Sequence, residues 1–149
     1  MPYYICPNCK DRSLDIDGFE GMSRQAAACR SCGFGFLFEL MDDYYPGPNT
    51  GLVVCDQQGR ILAAGRGVFE LTGWPEGELM GHDVKERFGL AFEGDEDPVG
   101  LALEWGVRRL GERLRLRTRA GTEKPAIADL FPAYDSDGGL LVALSPRTD

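Results

Sequence analysis

Residues 51–74 read GLVVCDQQGRILAAGRGVFELTGW, and this stretch decides the fold. The apolar runs LVVC and ILAA flank the turn sequence DQQG, which predicts a tight antiparallel hairpin. After the second run the apolar spacing changes to that of a short helical face led by Val68 and Leu71, which Gly73 ends. The stretch therefore predicts two paired strands followed directly by a helix.

The rest of the chain continues this mixture of strands and helices. Short helical segments are predicted at residues 75–80 and 81–88, and an acidic loop at residues 91–97. Pro98 suits the first turn of a longer helix that we expect to reach about residue 110. Three predicted strands then follow, separated by turn sequences, at residues 113–119, 124–134 and 140–144.

The ordered set of these motifs resembles the PAS domain family. Openings in that family typically read as a hydrophobic strand, D-x-x-G-x-I, a second strand, a helix and L-T-G-aromatic. This chain carries DQQGRI at residues 56–61 and LTGW at residues 71–74. The resemblance covers residues 50–147. It implies a five-stranded antiparallel sheet with the helices on one face, often with a small ligand cavity between them.

Four of the five cysteines form two C-x2-C pairs, Cys6 with Cys9 and Cys29 with Cys32, separated by 19 residues. This spacing predicts a tetrathiolate site for one structural zinc ion. The segment around it, residues 5–40, resembles the zinc ribbon family. Two disulfides are an alternative that a reducing cytosol disfavours, and a redox C-x-x-C lacks the βαβ pattern that usually accompanies it.

These patterns give an α+β fold class with two units joined by a linker. We assign a zinc ribbon to residues 1–41, a linker to residues 42–49 and a PAS domain to residues 50–149. Pro46 and Pro48 stiffen the linker. Because a unit of about 40 residues buries little apolar surface, the metal is expected to supply most of its folding free energy.

Charge and hydropathy limit the expected partners and location. The chain has 149 residues and a formal net charge of −8, which disfavours binding to nucleic acid or to an anionic membrane. No apolar run approaches the roughly 20 residues that a membrane-spanning helix needs. The first residues, MPYYICPNCK, lack the pattern of a signal peptide. We therefore expect a cytoplasmic protein.

Three positions bear on cofactor and redox chemistry. Flavin-binding members of the PAS class carry a G-x-N-C-R-F-L-Q box, and the matching residues 81–88 read GHDVKERF. Val84 replaces the reactive cysteine, which excludes adduct photochemistry and disfavours flavin. His82, the one histidine, is expected at the surface or at a helix cap rather than as a haem ligand, with a pH-switch role left open. Cys55 is expected to be a buried apolar residue rather than a redox sensor.

Four arginines share one face of the predicted strand at residues 113–119: Arg113, Arg115, Arg117 and Arg119. The favoured interpretation is a solvated sheet face with cross-strand acids such as Glu123 and Asp129. A cationic stripe that meets an acidic partner or nucleic acid is the alternative.

Nine apolar residues are predicted to line the PAS interior, where a small, apolar or weakly polar ligand would bind without a covalent bond. They are Val54, Ile61, Val68, Leu71, Leu103, Val107, Leu116, Ile127 and Leu141. An interior that is filled by its own side chains, with no ligand, is the equal alternative.

A second apolar set precedes the PAS domain and is predicted to be an interface. It consists of Phe34, Phe36, Phe38, Leu40, Tyr44 and Tyr45. Aromatic side chains carry about 150–250 Å² of surface each, more than so small a ribbon covers. We expect this set to be buried in a homodimer or against the PAS sheet, with a ribbon whose strands cover each other as a further alternative.

The sequence thus predicts a non-enzymatic signalling or regulatory module. Its PAS domain would sense a small ligand or recognise a partner protein, and the ribbon would be a second docking surface. No catalytic residue is assigned. The alternative is a transcription-associated regulator whose ribbon contacts polymerase or nucleic acid, and a haem or redox sensor is the least favoured class.

One zinc ion per chain should be found by elemental analysis of the purified protein. Chelation should unfold the segment that contains the four cysteines and leave the circular dichroism of the larger domain mostly intact, because the metal supplies the folding free energy of the small unit only. Less than about half an equivalent of zinc, or thiols linked as disulfides, would contradict the assignment.

Overall fold

The computed structural model describes residues 3–6, 38–40, 46–47, 49–132 and 139–147. In the N-terminal part, β1 (Tyr3–Ile5) pairs antiparallel with β2 (Phe38–Leu40). In this ladder Ile5 lies opposite Phe38. The two ends of the segment between them, which carries the four paired cysteines, therefore lie side by side. The remainder of the predicted ribbon lies outside the described residues.

The larger sheet is antiparallel and has six strands in the order β4-β3-β8-β7-β6-β5. The expectation of five strands was one too few, because Ala91 and Phe92 pair with Arg115 and Leu114 instead of joining the acidic loop. The bounds are β3 (Gly51–Cys55), β4 (Ile61–Ala64), β5 (Ala91–Phe92), β6 (Arg109–Arg117), β7 (Glu123–Pro132) and β8 (Leu140–Pro146).

The helices are short, and glycine or a capping side chain sets their ends. They are α1 (Val68–Thr72), a 3₁₀ turn (Glu76–Glu78), α2 (Val84–Arg87) and α3 (Pro98–Trp105). Asp83 caps α2 by accepting hydrogen bonds from the backbone N–H groups of Lys85 and Glu86 at 2.9 and 3.2 Å. Helix α3 ends earlier than predicted, because Gly106 adopts a left-handed conformation with φ 65° and the chain turns into β6.

The core lies between the helices and one face of the sheet. Strand residues face it alternately, so Val53 and Cys55 point into the core while Leu52 and Val54 point to the opposite, outer face. The ladder extends this alternation: Val53 pairs with Val142, and Val54 pairs with Leu141. Helical residues complete the core from the other side, namely Val68, Leu71, Val84, Val99 and Ala102.

Half of the outer face is buried as well. The described helices pack against the other face, yet six side chains of the outer face are only 0–6% accessible. They are Leu52, Val54, Ala63, Phe131, Leu141 and Ala143. Strand β6 differs, because arginines are exposed on its outer face, whereas its buried side chains, Leu114 and Leu116, belong to the core. The outer face is therefore apolar and covered around β3 and β8, and charged and solvated at β6.

Gly51 is the position where α1 packs most closely on the sheet, and replacing it tests this packing. A Cβ atom at Gly51 would lie 2.8 Å from the backbone nitrogen of Val68. We expect Gly51→Ala to lower the free energy of unfolding by about 1–3 kcal/mol, because the helix backbone must move.

Gly77 provides the matched control, because a Cβ atom there meets nothing within 4 Å. Gly77→Ala should change the free energy of unfolding by less than about 0.5 kcal/mol. Urea unfolding followed by circular dichroism measures both variants, and equal stabilities would contradict the close approach of α1 to β3.

Candidate functional site

The structure distributes the nine predicted cavity residues over three environments. Ile61, Val68, Leu71 and Leu116 belong to the buried core, and Leu103 packs against it partly exposed. The other four positions differ from the prediction.

Val54, Ile127 and Leu141 lie on the outer face of the sheet, because their neighbours in the strands, such as Val53, face the core. Val107 is 51% exposed, since α3 has already ended at Gly106. These four side chains therefore do not line the space between helices and sheet.

That space is packed by the domain's own side chains. Leu79, Phe88, Leu114, Leu130 and other core residues are 0% accessible. The walls of a cavity large enough for a ligand would be accessible to water, and these side chains are not. Phe88 is the largest of the fully buried side chains. The part of the interior that the described residues form is therefore closed in this conformation.

The residues of the region that corresponds to the flavin box do not fit flavin adduct chemistry. Val84, at the position of the reactive cysteine, is 0% accessible and packs in the core. Asp83, which replaces the asparagine, uses its carboxylate to cap α2. A valine has no thiol to bond to an isoalloxazine ring, and the closed core leaves no preformed space for one.

Cys55 is buried on the helix-facing side of β3. Burial raises the pKa of its thiol strongly, and the carboxylates of Asp56 and Asp83 raise it further by repelling a thiolate. Because the thiolate is the reactive form, this cysteine is unsuited to redox sensing or nucleophilic attack at neutral pH.

His82 is exposed, in agreement with the surface role expected for it. Its backbone carbonyl accepts a hydrogen bond from the N–H of Ile61 at 2.9 Å, which ties the loop before α2 to β4. The imidazole is not part of the core and so does not reach the interior as a haem ligand would.

A surface cleft of about 300 Å³ lies beside Trp74, between the end of β6 and the start of α2. The guanidinium of Arg87 stacks over the Trp74 ring at 4.6 Å from its centroid, and that of Arg119 lies at 5.8 Å. The lining residues are Trp74, His82, Asp83, Glu86, Arg87, Arg117, Thr118, Arg119 and Gly121. This cleft was not among the sites predicted from the sequence.

Several arginines around β6 pair with carboxylates, as expected for a solvated face. Arg115 contacts Glu123 at 3.6 Å, Arg113 contacts Glu93 at 3.6 Å, and Arg119 contacts Glu78 at 2.9 Å. The predicted partner Asp129 accepts a hydrogen bond from the backbone N–H of Gly111. These exposed pairs are individually weak, and Arg117 of β6 belongs to none of them.

The predicted metal and interface residues lie mostly outside the described residues, namely Cys9, Cys29, Cys32, Phe34, Phe36, Tyr44 and Tyr45. Cys6 is buried next to β1, and Phe38 and Leu40 belong to β2. Among the described residues no group of three or more metal-binding side chains is arranged around one point. The zinc site and the interface therefore stay predictions.

No protein-family model matches this chain, and no curated protein matches it either. Solved structures do. The PAS domain of a protein from Colwellia psychrerythraea has a TM-score of 0.56 and 23% identity, over 67% of this chain and 87% of that one. The described domain has the PAS fold.

Two other structures support the same fold. A fungal LOV domain photoreceptor has a TM-score of 0.56 and 17% identity, over 72% of this chain and 82% of that one. The PAS domain of nitrogen regulation protein NR(II) from Vibrio parahaemolyticus has a TM-score of 0.54 and 13% identity, over 68% and 92%. At such identities the likeness concerns the PAS fold and carries no function by itself. No helix among the described residues is long and apolar enough to cross a membrane.

Alkylation should distinguish Cys55 from an accessible thiol. In the folded protein, iodoacetamide at neutral pH should leave Cys55 unmodified, because its thiol is buried and its pKa is raised. Peptide mapping by mass spectrometry reads this residue separately from the other four cysteines.

The same reaction in guanidinium chloride is the control and should modify Cys55 completely. Rapid modification of Cys55 in the folded protein would show that the PAS domain opens there, and would return redox sensing to consideration.

Proposed function

We propose that this protein is a non-enzymatic signalling or regulatory module whose PAS domain acts through protein contacts rather than through a resident cofactor. The closed interior carries this proposal. Sensing by a bound chromophore needs space between helices and sheet, and in this chain Phe88 and its neighbours occupy that space.

The distribution of reactive groups supports a non-enzymatic role. The described cysteine of the PAS domain, Cys55, is buried and protonated. His82 is exposed in a loop, and the cleft beside it contains no serine or cysteine that it could activate. The hydroxyl of its one threonine, Thr118, accepts a hydrogen bond from the backbone N–H of Thr122 at 3.2 Å, and no hydrogen bond among the described residues pairs it with His82 as a base.

The apolar half of the outer face supports a role in protein contacts. Its leucine, valine and phenylalanine side chains on the central strands β3, β8 and β7 are at most 2% accessible within the single chain, so a partner reaches them only by displacing what covers them. An apolar sheet surface of this kind is stable only when covered, and whatever covers it is coupled to the sheet by direct packing. A partner that binds this face in place of what covers it would therefore change the packing of the whole sheet.

We further propose that the four paired cysteines hold one structural zinc ion and that the zinc ribbon is a second docking surface. The protein is proposed to be a cytoplasmic homodimer through the aromatic set that begins at Phe34. The β1–β2 ladder supports the ribbon, since it joins the two ends of the cysteine-containing segment as a ribbon requires.

Replacing Phe36 and Phe38 by serine tests the dimer. Native mass spectrometry of the wild-type chain should show two chains with two zinc ions and no mass of flavin or haem. The double variant should show one chain with one zinc ion, because the apolar contact between protomers is lost while the metal site is kept.

Phe69→Ser is the matched control. Phe69 lies on α1 and is 57% exposed, so its loss should leave the dimer intact. A monomeric wild-type chain, or a double variant that remains dimeric, would reject the dimer; a bound chromophore would reject the cofactor-free role independently.

A further inference from the structure

The cleft beside Trp74 has a feature that the proposed interaction role does not explain: two of its arginines contact no carboxylate of the described residues. Arg87 and Arg117 make no ion pair within this part of the chain, whereas Arg113, Arg115 and Arg119 each contact a glutamate. In a chain with net charge −8, acids are available to pair with arginines. The hydrogen-bond donors of two guanidinium groups at one cleft are therefore left for another acceptor.

Packing holds both arginines in place. Arg87 stacks on the Trp74 ring, which fixes the plane of its guanidinium. Arg117 lies against Gly89: a Cβ atom at Gly89 would lie 3.0 Å from the Arg117 Cβ and 3.1 Å from its Cζ. Gly89 also has a φ of 56°, which favours glycine at this position. The absence of a side chain at Gly89 thus makes room for Arg117.

The two acids that line the cleft, Asp83 and Glu86, form no ion pair with Arg87 or Arg117. Asp83 directs its carboxylate to the backbone N–H groups at the start of α2, at 2.9 and 3.2 Å. Glu86 is exposed to solvent. The third arginine, Arg119, already pairs with Glu78. The groups left for a ligand are therefore the guanidinium groups of Arg87 and Arg117.

Trp74 forms the wall of the cleft with its ring. Its indole N–H has no acceptor among the described residues, and because it is buried it does not face the cleft as a donor. The ring lies under the Arg87 guanidinium and lines the cleft together with both arginines, so a group bound there lies close to the indole.

We propose that this cleft binds a small oxyanion, the carboxylate or phosphate group of a small molecule, through Arg87 and Arg117 with Trp74 as its wall. Planar guanidinium groups bind such groups through paired, charge-assisted hydrogen bonds. A volume of about 300 Å³ is at the lower end for small-molecule sites and suits a compact ligand. The site goes beyond the proposed protein contacts and does not depend on them.

Nuclear magnetic resonance of the full-length chain tests the proposal. The chain has two tryptophans, so Trp105→Phe leaves a single indole N–H resonance, that of Trp74. Trp105 is 68% exposed, and its replacement should not disturb the fold. Inorganic phosphate and citrate are titrated separately, each against sodium chloride of equal ionic strength. We expect a saturable shift of the indole resonance with at least one oxyanion and none with chloride, and the two titrations tell phosphate from carboxylate ligands.

Glutamine variants made in the same background identify the residues. Arg87→Gln and Arg117→Gln should each weaken binding about tenfold, because each removes a charged donor. Arg115→Gln is the matched control, since Arg115 is on the same strand but pairs with Glu123, and it should leave the affinity unchanged. Thermal unfolding shows whether each variant is folded.

No shift beyond that of chloride would overturn the proposal, as would equal weakening by all three variants, which would indicate a general charge effect. Dimer formation is measured independently of this titration, so failure of the ligand site leaves the interaction role standing.

Discussion

The register between β3 and β8 is the constraint on which the domain depends. It pairs Val53 with Val142 and Val54 with Leu141, and so decides which residues of both strands enter the core. A shift by one residue would exchange the two faces, sending Val53 outward and Val54 inward. The position of α1 follows from the same pairing, since the helix packs on Gly51 at the end of β3. Core, helix and outer face are thus set together.

The sequence predicted the hairpin and the end of the first helix well, because these depend on local signals. The strands around DQQG appear at Gly51–Cys55 and Ile61–Ala64, and Gly73 adopts the left-handed conformation that ends α1. The face of each strand residue was harder to predict. LVVC and LLVAL are continuous apolar runs, in which no alternation marks inside from outside. The structure explains this: both faces of these strands are buried.

The cleft beside Trp74 was beyond sequence reasoning for a different reason. Trp74, Arg87 and Arg117 come from three separate elements, and only the tertiary fold brings them together. In the sequence they belong to three separate motifs, namely LTGW, the residues that match the flavin box and the arginine stripe, and none of these motifs indicates the other two. The early end of α3 shows the opposite case, because the glycine that ends it, Gly106, is present in the sequence and its left-handed conformation is set by the tertiary turn into β6.

The place of β8 in the sheet has a consequence for biosynthesis. This strand is the last of the described elements in the chain, yet it lies between β3 and β7 near the middle of the sheet. In a nascent chain that has emerged only as far as Pro132, the edges of β3 and β7 that later pair with β8 have no partner strand. An open strand edge is a template for pairing with other chains. The domain therefore closes only when residues 140–146 pair both with the preceding strand β7 and with β3, which was made much earlier. The contacts with β3 are distant in sequence and make folding inherently slow.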